Sequence, residues 1–151
     1  MSAVGVVVAT ACALLWVARR SRNKPSAGGR QFVVRKGKSD EDWEAALPSV
    51  PKSAMKKRDL FTEPASGRFA LELVLSPNQK YPAHVHGSNE WCFLVQGDIT
   101  DQFGTKHAGD FFYNEITSLH YGIQAGKDGC TILVVKDVGG NKPRPDLDTT
   151  T

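Results

Sequence analysis

A chain of 151 residues, 40% hydrophobic and 23% charged, is long enough for one folded domain and a tail. Its net charge of +3 is unevenly spread: residues 19–38 carry eight basic side chains and no acid, so residues 39–151 set the other eleven against all sixteen acids, a net of −5. A mildly acidic domain on a basic tether offers no surface for nucleic acid, and three dispersed cysteines (Cys12, Cys92, Cys130) fit neither a zinc-finger spacing nor a disulfide framework.

The first predicted element is "SAVGVVVATACALLWVA", Ser2 to Ala18, which has no charge and is followed at once by Arg19 and Arg20. As a helix it spans roughly 25 Å, short of a ~30 Å hydrocarbon core, but the arginine stems can snorkel and Trp16 sits where an interfacial aromatic would. Residues 1–18 are therefore expected to form a transmembrane anchor helix. A cleaved signal peptide competes, with Ala9-Thr10-Ala11 or Ala11-Cys12-Ala13 as the cleavage site, although it lacks the positive charge such peptides carry ahead of the apolar run. A targeting presequence is the third reading. The positive flank places the domain in the cytosol, on the endoplasmic reticulum or the outer mitochondrial membrane; the signal-peptide reading implies secretion instead. Residues 19–38, basic and containing "SRNKPSAGGRQ", read as a flexible linker.

Residues 39–138 read as one all-β domain. "SDEDWEAAL", Ser39 to Leu47, predicts a short helix that Pro48 and Pro51 end, with Trp43 packed on the domain. From Lys57 onward short strands alternate with turns. In "RFALELVL", Phe69, Leu71, Leu73 and Leu75 share one face. "YPAHVH", "EWCFLVQG", "DITDQFG", "KHAGDFFYN", "SLHYGIQAG" and "CTILVVKDV" follow, separated by glycine turns, a spacing that points to a sandwich or small barrel. Pro82 marks an edge or the start of a strand. Residues 139–151, "GGNKPRPDLDTTT", have little to bury and are expected to be an extended or disordered tail.

Within this pattern lies an unusual group of polar residues. His84 and His86, at i and i+2 on a strand, point to one face with Val85 opposite, and Glu90 opens the next strand. His120 comes far later. Two histidines at this spacing are by themselves as readily surface residues, but three imidazoles and a carboxylate suit a divalent transition metal, Fe(II), Mn(II), Ni(II) or Zn(II), with positions left for water or substrate. The pleat that turns Glu90 inward also turns Cys92 and Leu94 inward and Trp91 and Phe93 outward. Cys92 is then a small buried hydrophobe or a pocket thiol. Tyr81, Phe111, Phe112, Tyr113 and Tyr121 could wall an apolar pocket or fill the core, and His107 reads as an exposed turn residue. Serine-triad, phosphate-loop and CxxC motifs are absent from the sequence.

The spacing His84-x-His86-x3-Glu90-x6-Gly97 resembles the first motif of the cupin superfamily, G-x5-H-x-H-x3,4-E-x6-G, with Asn78 in place of its opening glycine. Gly109 and His120 match the second motif, G-x5-P-x-G-x2-H-x3-N, while Glu115, Thr117 and Gln124 replace its proline, second glycine and asparagine. The resemblance covers roughly residues 59–137 and looks most like small single-domain cupins of the anti-sigma-factor and acetylacetone-cleaving dioxygenase type. It implies a single cupin β-barrel (jelly roll), often paired as a homodimer. One metal ion, Fe(II) first among the four, would sit on His84, His86 and His120, with Glu90 as a fourth ligand or as a group that orients a histidine or water and moves a proton. Three functions follow. The first is a membrane-tethered Fe(II)-type dioxygenase, an oxidoreductase acting on a small bidentate organic substrate; the second is a non-catalytic metal-dependent ligand-binding or sensing module; the third is a metal-assisted isomerase, decarboxylase or hydrolase.

Overall fold

The computed structural model describes residues 40–148, so the expected anchor and linker lie outside the described residues. Among the described residues no helix is long and apolar enough to cross a membrane. A 3-10 turn (Asp40–Asp42) leads into β1 (Glu44–Ala45), β2 (Met55–Thr62), β3 (Phe69–Leu75), β4 (Lys80–Tyr81), β5 (His84–Val85), β6 (Glu90–Asp101), β7 (Gly104–His107), β8 (Phe111–Asn114), β9 (Leu119–His120), β10 (Ile123–Lys136) and β11 (Lys142–Pro143), and a second 3-10 turn (Pro145–Leu147) follows. The larger sheet has the order β1-β2-β3-β10-β6-β7, with β4 added to β10 and β8 to β6; the smaller is β11-β5-β9. Every pairing is antiparallel. The expected all-β architecture is present.

Alternation explains why the long strands form. On β3, Leu71, Leu73 and Leu75 stand opposite Val134, Ile132 and Cys130 of β10, all on the inner face. With Met55, Leu94, Ile99 and Ile123 they form the core, and burying each such side chain contributes about 1.5–3 kcal/mol. Gly97 holds a left-handed turn in β6 (φ +74°) where a Cβ would meet the Gly129 carbonyl oxygen at 2.0 Å, so both its freedom and its size are required.

The β6–β10 pairing contains a bulge. Ile132 pairs with Leu94 but Thr131 pairs with Gln96, so Val95 is an extra residue. The bulge switches the inward parity of β6. Glu90, Cys92 and Leu94 face inward before it, and Ile99 and Asp101 are buried after it.

Two segments depart from expectation. The helix predicted over Ser39 to Leu47 is confined to the 3-10 turn; Glu44 and Ala45 instead pair with Lys57 and Lys56. Before Pro48 a helix could make too few bonds to offset nucleation. The edge of β2 supplies strand bonds, a Lys57–Glu44 ion pair at 2.9 Å, and Lys56 and Arg58 over the Trp43 ring at 4.7 and 4.6 Å. The described part of the expected tail is docked. Lys142 and Pro143 pair with Val85 and His84, Arg144 N–H donates to the Ala83 carbonyl at 2.8 Å, and Ala83 N–H donates to Asp148 at 2.6 Å. Backbone pairing needs no apolar side chain, which is why composition concealed it.

Candidate metal centre

The smaller sheet assembles the histidines. His84 on β5 stands directly opposite His120 on β9, and His86 follows two residues after His84 on the same side. The backbone of His86 is pinned from both sides: its N–H donates to Ser118 O at 3.0 Å, and its carbonyl accepts from Thr117 N–H at 2.8 Å. Thr117 has φ +70°, a left-handed conformation rare for a β-branched residue, so the turn keeps a glycine-like shape without glycine. Asn78, also in place of a motif glycine, is likewise left-handed at φ +58°, as expected for asparagine.

Ring centroids lie 4.7 Å apart for His84–His86, 5.3 Å for His84–His120 and 5.4 Å for His86–His120. Each ring offers one nitrogen, and the three nitrogens lie within 4.8 Å of one another. Their second nitrogens differ. His84 Nδ1–H donates to the Pro82 carbonyl at 2.9 Å, which leaves Nε2 as the acceptor. His120 Nε2–H donates to Asp101 Oδ2 at 2.8 Å, leaving Nδ1. Both nitrogens of His86 are buried with no hydrogen-bond partner. Neutral His86 has one lone pair and one N–H, and burying the lone pair without a partner costs free energy. A divalent cation would take that lone pair, and the donor set of three neutral imidazoles fits one. Burial lowers the pKa of His84, and lowers that of His86 to about 4, so both are neutral near pH 7.

Asp101 is missed by alternation counted on from Glu90, because the Val95 bulge reverses the parity and turns it inward beside Ile99. It accepts from His120 and the Phe103 N–H (2.8 Å each) and from Lys106. Burial opposes its charge, but these donors prevail and hold its pKa at about 2. Such a carboxylate behind a ligating histidine fixes the ring's tautomer and orientation.

Glu90 stands beside the three rings rather than among them. Its Oε1 is 3.9 Å from His86 Nδ1, too long for a hydrogen bond, and accepts from Asn114 at 3.2 Å and the Cys92 thiol at 3.5 Å. Its Oε2 is 3.3 Å from Lys136 Nζ. Burial pushes the Glu90 carboxyl up, but Lys136, His86 and Asn114 outweigh it and the pKa falls below the usual range. Burial and then Glu90 push the Cys92 thiol well up, so it stays protonated.

Tyr81, His84, Glu90, Cys92, Phe112 and His120 line a cavity of about 50 Å³ floored by aliphatic side chains of β3 and β10. A groove of about 440 Å³, within the range of small-molecule sites, adjoins it and shares Tyr81 and Ile123. Of the proposed aromatic wall, Tyr81 and Phe112 face the cavity and Tyr121 lines the groove, whereas Phe111 and Tyr113 point to solvent on the opposite face of β8. Burial raises the Tyr81 hydroxyl to about 12. His107 is exposed as expected and pairs with Asp98 at 2.7 Å.

Comparison with known proteins agrees with this geometry. No curated protein sequence matches the chain. Among solved structures it is similar to an acetylacetone dioxygenase from Acinetobacter johnsonii (13% identity over 82% of this chain and 87% of that one, TM-score 0.58). It is also similar to the polyketide cyclase RemF from Streptomyces resistomycificus (19% identity over 72% and 84%, TM-score 0.56). A third likeness is to the structure of Rhodobacter sphaeroides SigE in complex with the anti-sigma ChrR (19% identity over 90% and 71%, TM-score 0.53). At these identities the likeness establishes the jelly-roll fold and no activity. A family model described as the ChrR cupin-like domain matches residues 31–138, and the chain belongs to that cupin family.

Proposed function

We propose that this domain is a metal-dependent cupin oxygenase with a mononuclear Fe(II)-type centre on His84, His86 and His120, acting on a small bidentate organic substrate. The observation that carries the reading is the clustering of three buried imidazoles, one with both nitrogens unsatisfied, of which His84 and His120 line a cavity that adjoins a groove large enough for a small molecule. A bound ion supplies Lewis-acid and redox chemistry. The chain's own residues do the rest. Pro82 and Asp101 fix the tautomers of His84 and His120. Glu90, ionised and held by Lys136 and Asn114, places a negative charge at the edge of the cavity beside His86. Tyr81, whose ring lies 5.4 Å from that of His84, stands between groove and cavity and keeps its hydroxyl as a donor to an anionic substrate.

A second reading, a non-catalytic sensing module whose ion holds the fold, is favoured by the small volume of the cavity itself and by the likeness to the SigE–ChrR structure. Elemental analysis of the full chain purified anaerobically, coupled to oxygen uptake on a panel of diketones, thiols and phenols, separates the two. Iron with uptake on at least one substrate supports the oxygenase; full zinc occupancy with no uptake across the panel sinks it. The uncharged residues 2–18 with their basic flank support a single-pass tether that presents the domain to the cytosol, and exposed Phe93, Phe111 and Tyr113 on the outer sheet face support pairing of two domains.

A further inference from the structure

The cavity beside His84 and His120 has a volume of about 50 Å³, room for about three or four water-sized groups. It accommodates the two donor atoms of a chelating ligand and not its carbon body. The groove next to it has about 440 Å³. The two spaces share Tyr81 and Ile123, which are registered partners on β4 and β10. That single cross-strand pair is the partition between them, and the Tyr81 ring stands 5.4 Å from that of His84.

The groove has walls of its own. Pro82, Tyr121 and Leu147 join Tyr81 and Ile123 in an apolar lining, while its two charged side chains, Lys80 and Asp148, are of opposite sign. Leu147 and Asp148 lie beyond residues 31–138, the span of the family match, so this wall is not part of the shared domain. It is fixed in place: Asp148 accepts from Ala83 N–H at 2.6 Å, and Leu147 N–H donates to Arg144 O at 3.0 Å.

We infer that the ligand is bipartite, with a bidentate anionic head that reaches the ion past Tyr81 and an uncharged aryl or acyl body seated in the groove against Tyr121 and Leu147. This rests on the reading of His84, His86 and His120 as a metal centre, and it narrows the substrate class from any small chelator to an elongated one. The volumes carry it. A compact chelator would leave the apolar walls of the groove to water, whereas an aryl body there gains the hydrophobic contribution that the cavity has no room to supply. The charges agree, since one cation and one anion give the groove no net charge to hold a second anionic group. Tyr81 and Ile123 are then specificity-determining residues, because the passage between them and His84 sets the breadth of the stem that joins head to body.

The test is ligand binding to the zinc-loaded full chain, measured by calorimetry with acetohydroxamate and phenylacetohydroxamate. These probes share one bidentate head and differ by a phenyl group, and each affinity is set against the same probe's affinity for free zinc. Phenylacetohydroxamate should bind about tenfold more tightly. Tyr121→Ala and Leu147→Glu should each remove most of that preference and leave acetohydroxamate within about twofold. Tyr121 is 39% exposed, so its truncation leaves the fold intact and decides the matter if Leu147→Glu does not fold. Equal affinities for the two probes overturn the inference, as does a preference that survives in Tyr121→Ala. A preference seen only in a chain ending at Asp148 means that residues 149–151 fill the groove in place of a ligand, and overturns it too. A chain that takes up no zinc overturns the three-histidine reading and this inference with it; bound zinc with any of the other adverse results overturns this inference alone.

Discussion

His86 is the residue at which stability and function conflict. Its ring is fully buried and neither nitrogen has a partner. Without metal, His86→Leu should stabilise the fold by about 1–2 kcal/mol, because an unsatisfied polar ring is replaced by an apolar side chain of similar size. With excess zinc the sign should reverse, since only the unmodified protein gains binding free energy; urea melts with chelator and with zinc check both. Burial also sets a pH dependence. The folded-state pKa of His86, about 4, lies below its ordinary 6.5, so the unfolded chain binds more protons between these values. Metal-free stability should be full above pH 6.5 and fall as pH drops toward 4, and denaturation across that range should show a weaker slope in His86→Leu. At Thr117 the left-handed backbone costs a β-branched residue about 1–2 kcal/mol. Thr117→Gly relieves it at an entropic cost of about 0.5–1 kcal/mol, for a small net gain measurable by melting. Asp101→Asn should lower metal affinity about 10–100-fold without unfolding the domain, read by competition titration.

At the scale of strands, the histidine sheet owes its middle position to β11. Residues 142–148 give β5 a second paired edge, and Asp148 holds Ala83 directly before His84. A chain ending at Gly140 should melt about 5 °C lower or more, and its calorimetric trace checks this. The same elements show what a sequence can reveal. His84, His86 and His120 were legible because their spacing and the period of two survive in the fold. Lys136 obeys the alternation of "CTILVVK" and could have been read as an inward lysine opposite Glu90. Asp101 was harder to read, because one extra residue at Val95 reverses the parity of β6; the local signals are Gly97, which interrupts the strand, and Ile99, whose inward position carries Asp101 to the same face. Residues 142–148 join the sheet through backbone bonds that composition does not record, and the expected helix at 39–47 lost to a partner strand ten residues later.

For the whole molecule, we propose that the basic amino-terminal stretch with its uncharged run decides location, while the described site lies within residues 40–148. Carbonate extraction of membranes from expressing cells should leave the full chain in the pellet; release into the supernatant would exclude a spanning helix. The domain brings together chemistry from distant parts of the chain, with β5, β9, β6 and β10 each contributing one or more groups around a single cavity. That assembly has a purpose only if an ion occupies it. Metal stoichiometry of the anaerobically purified chain, set beside His120→Ala, tests this most directly. One equivalent of a divalent transition metal per chain, falling close to zero in His120→Ala, is the expected result; no metal at saturating exposure, or an equivalent retained by folded His120→Ala, would contradict it.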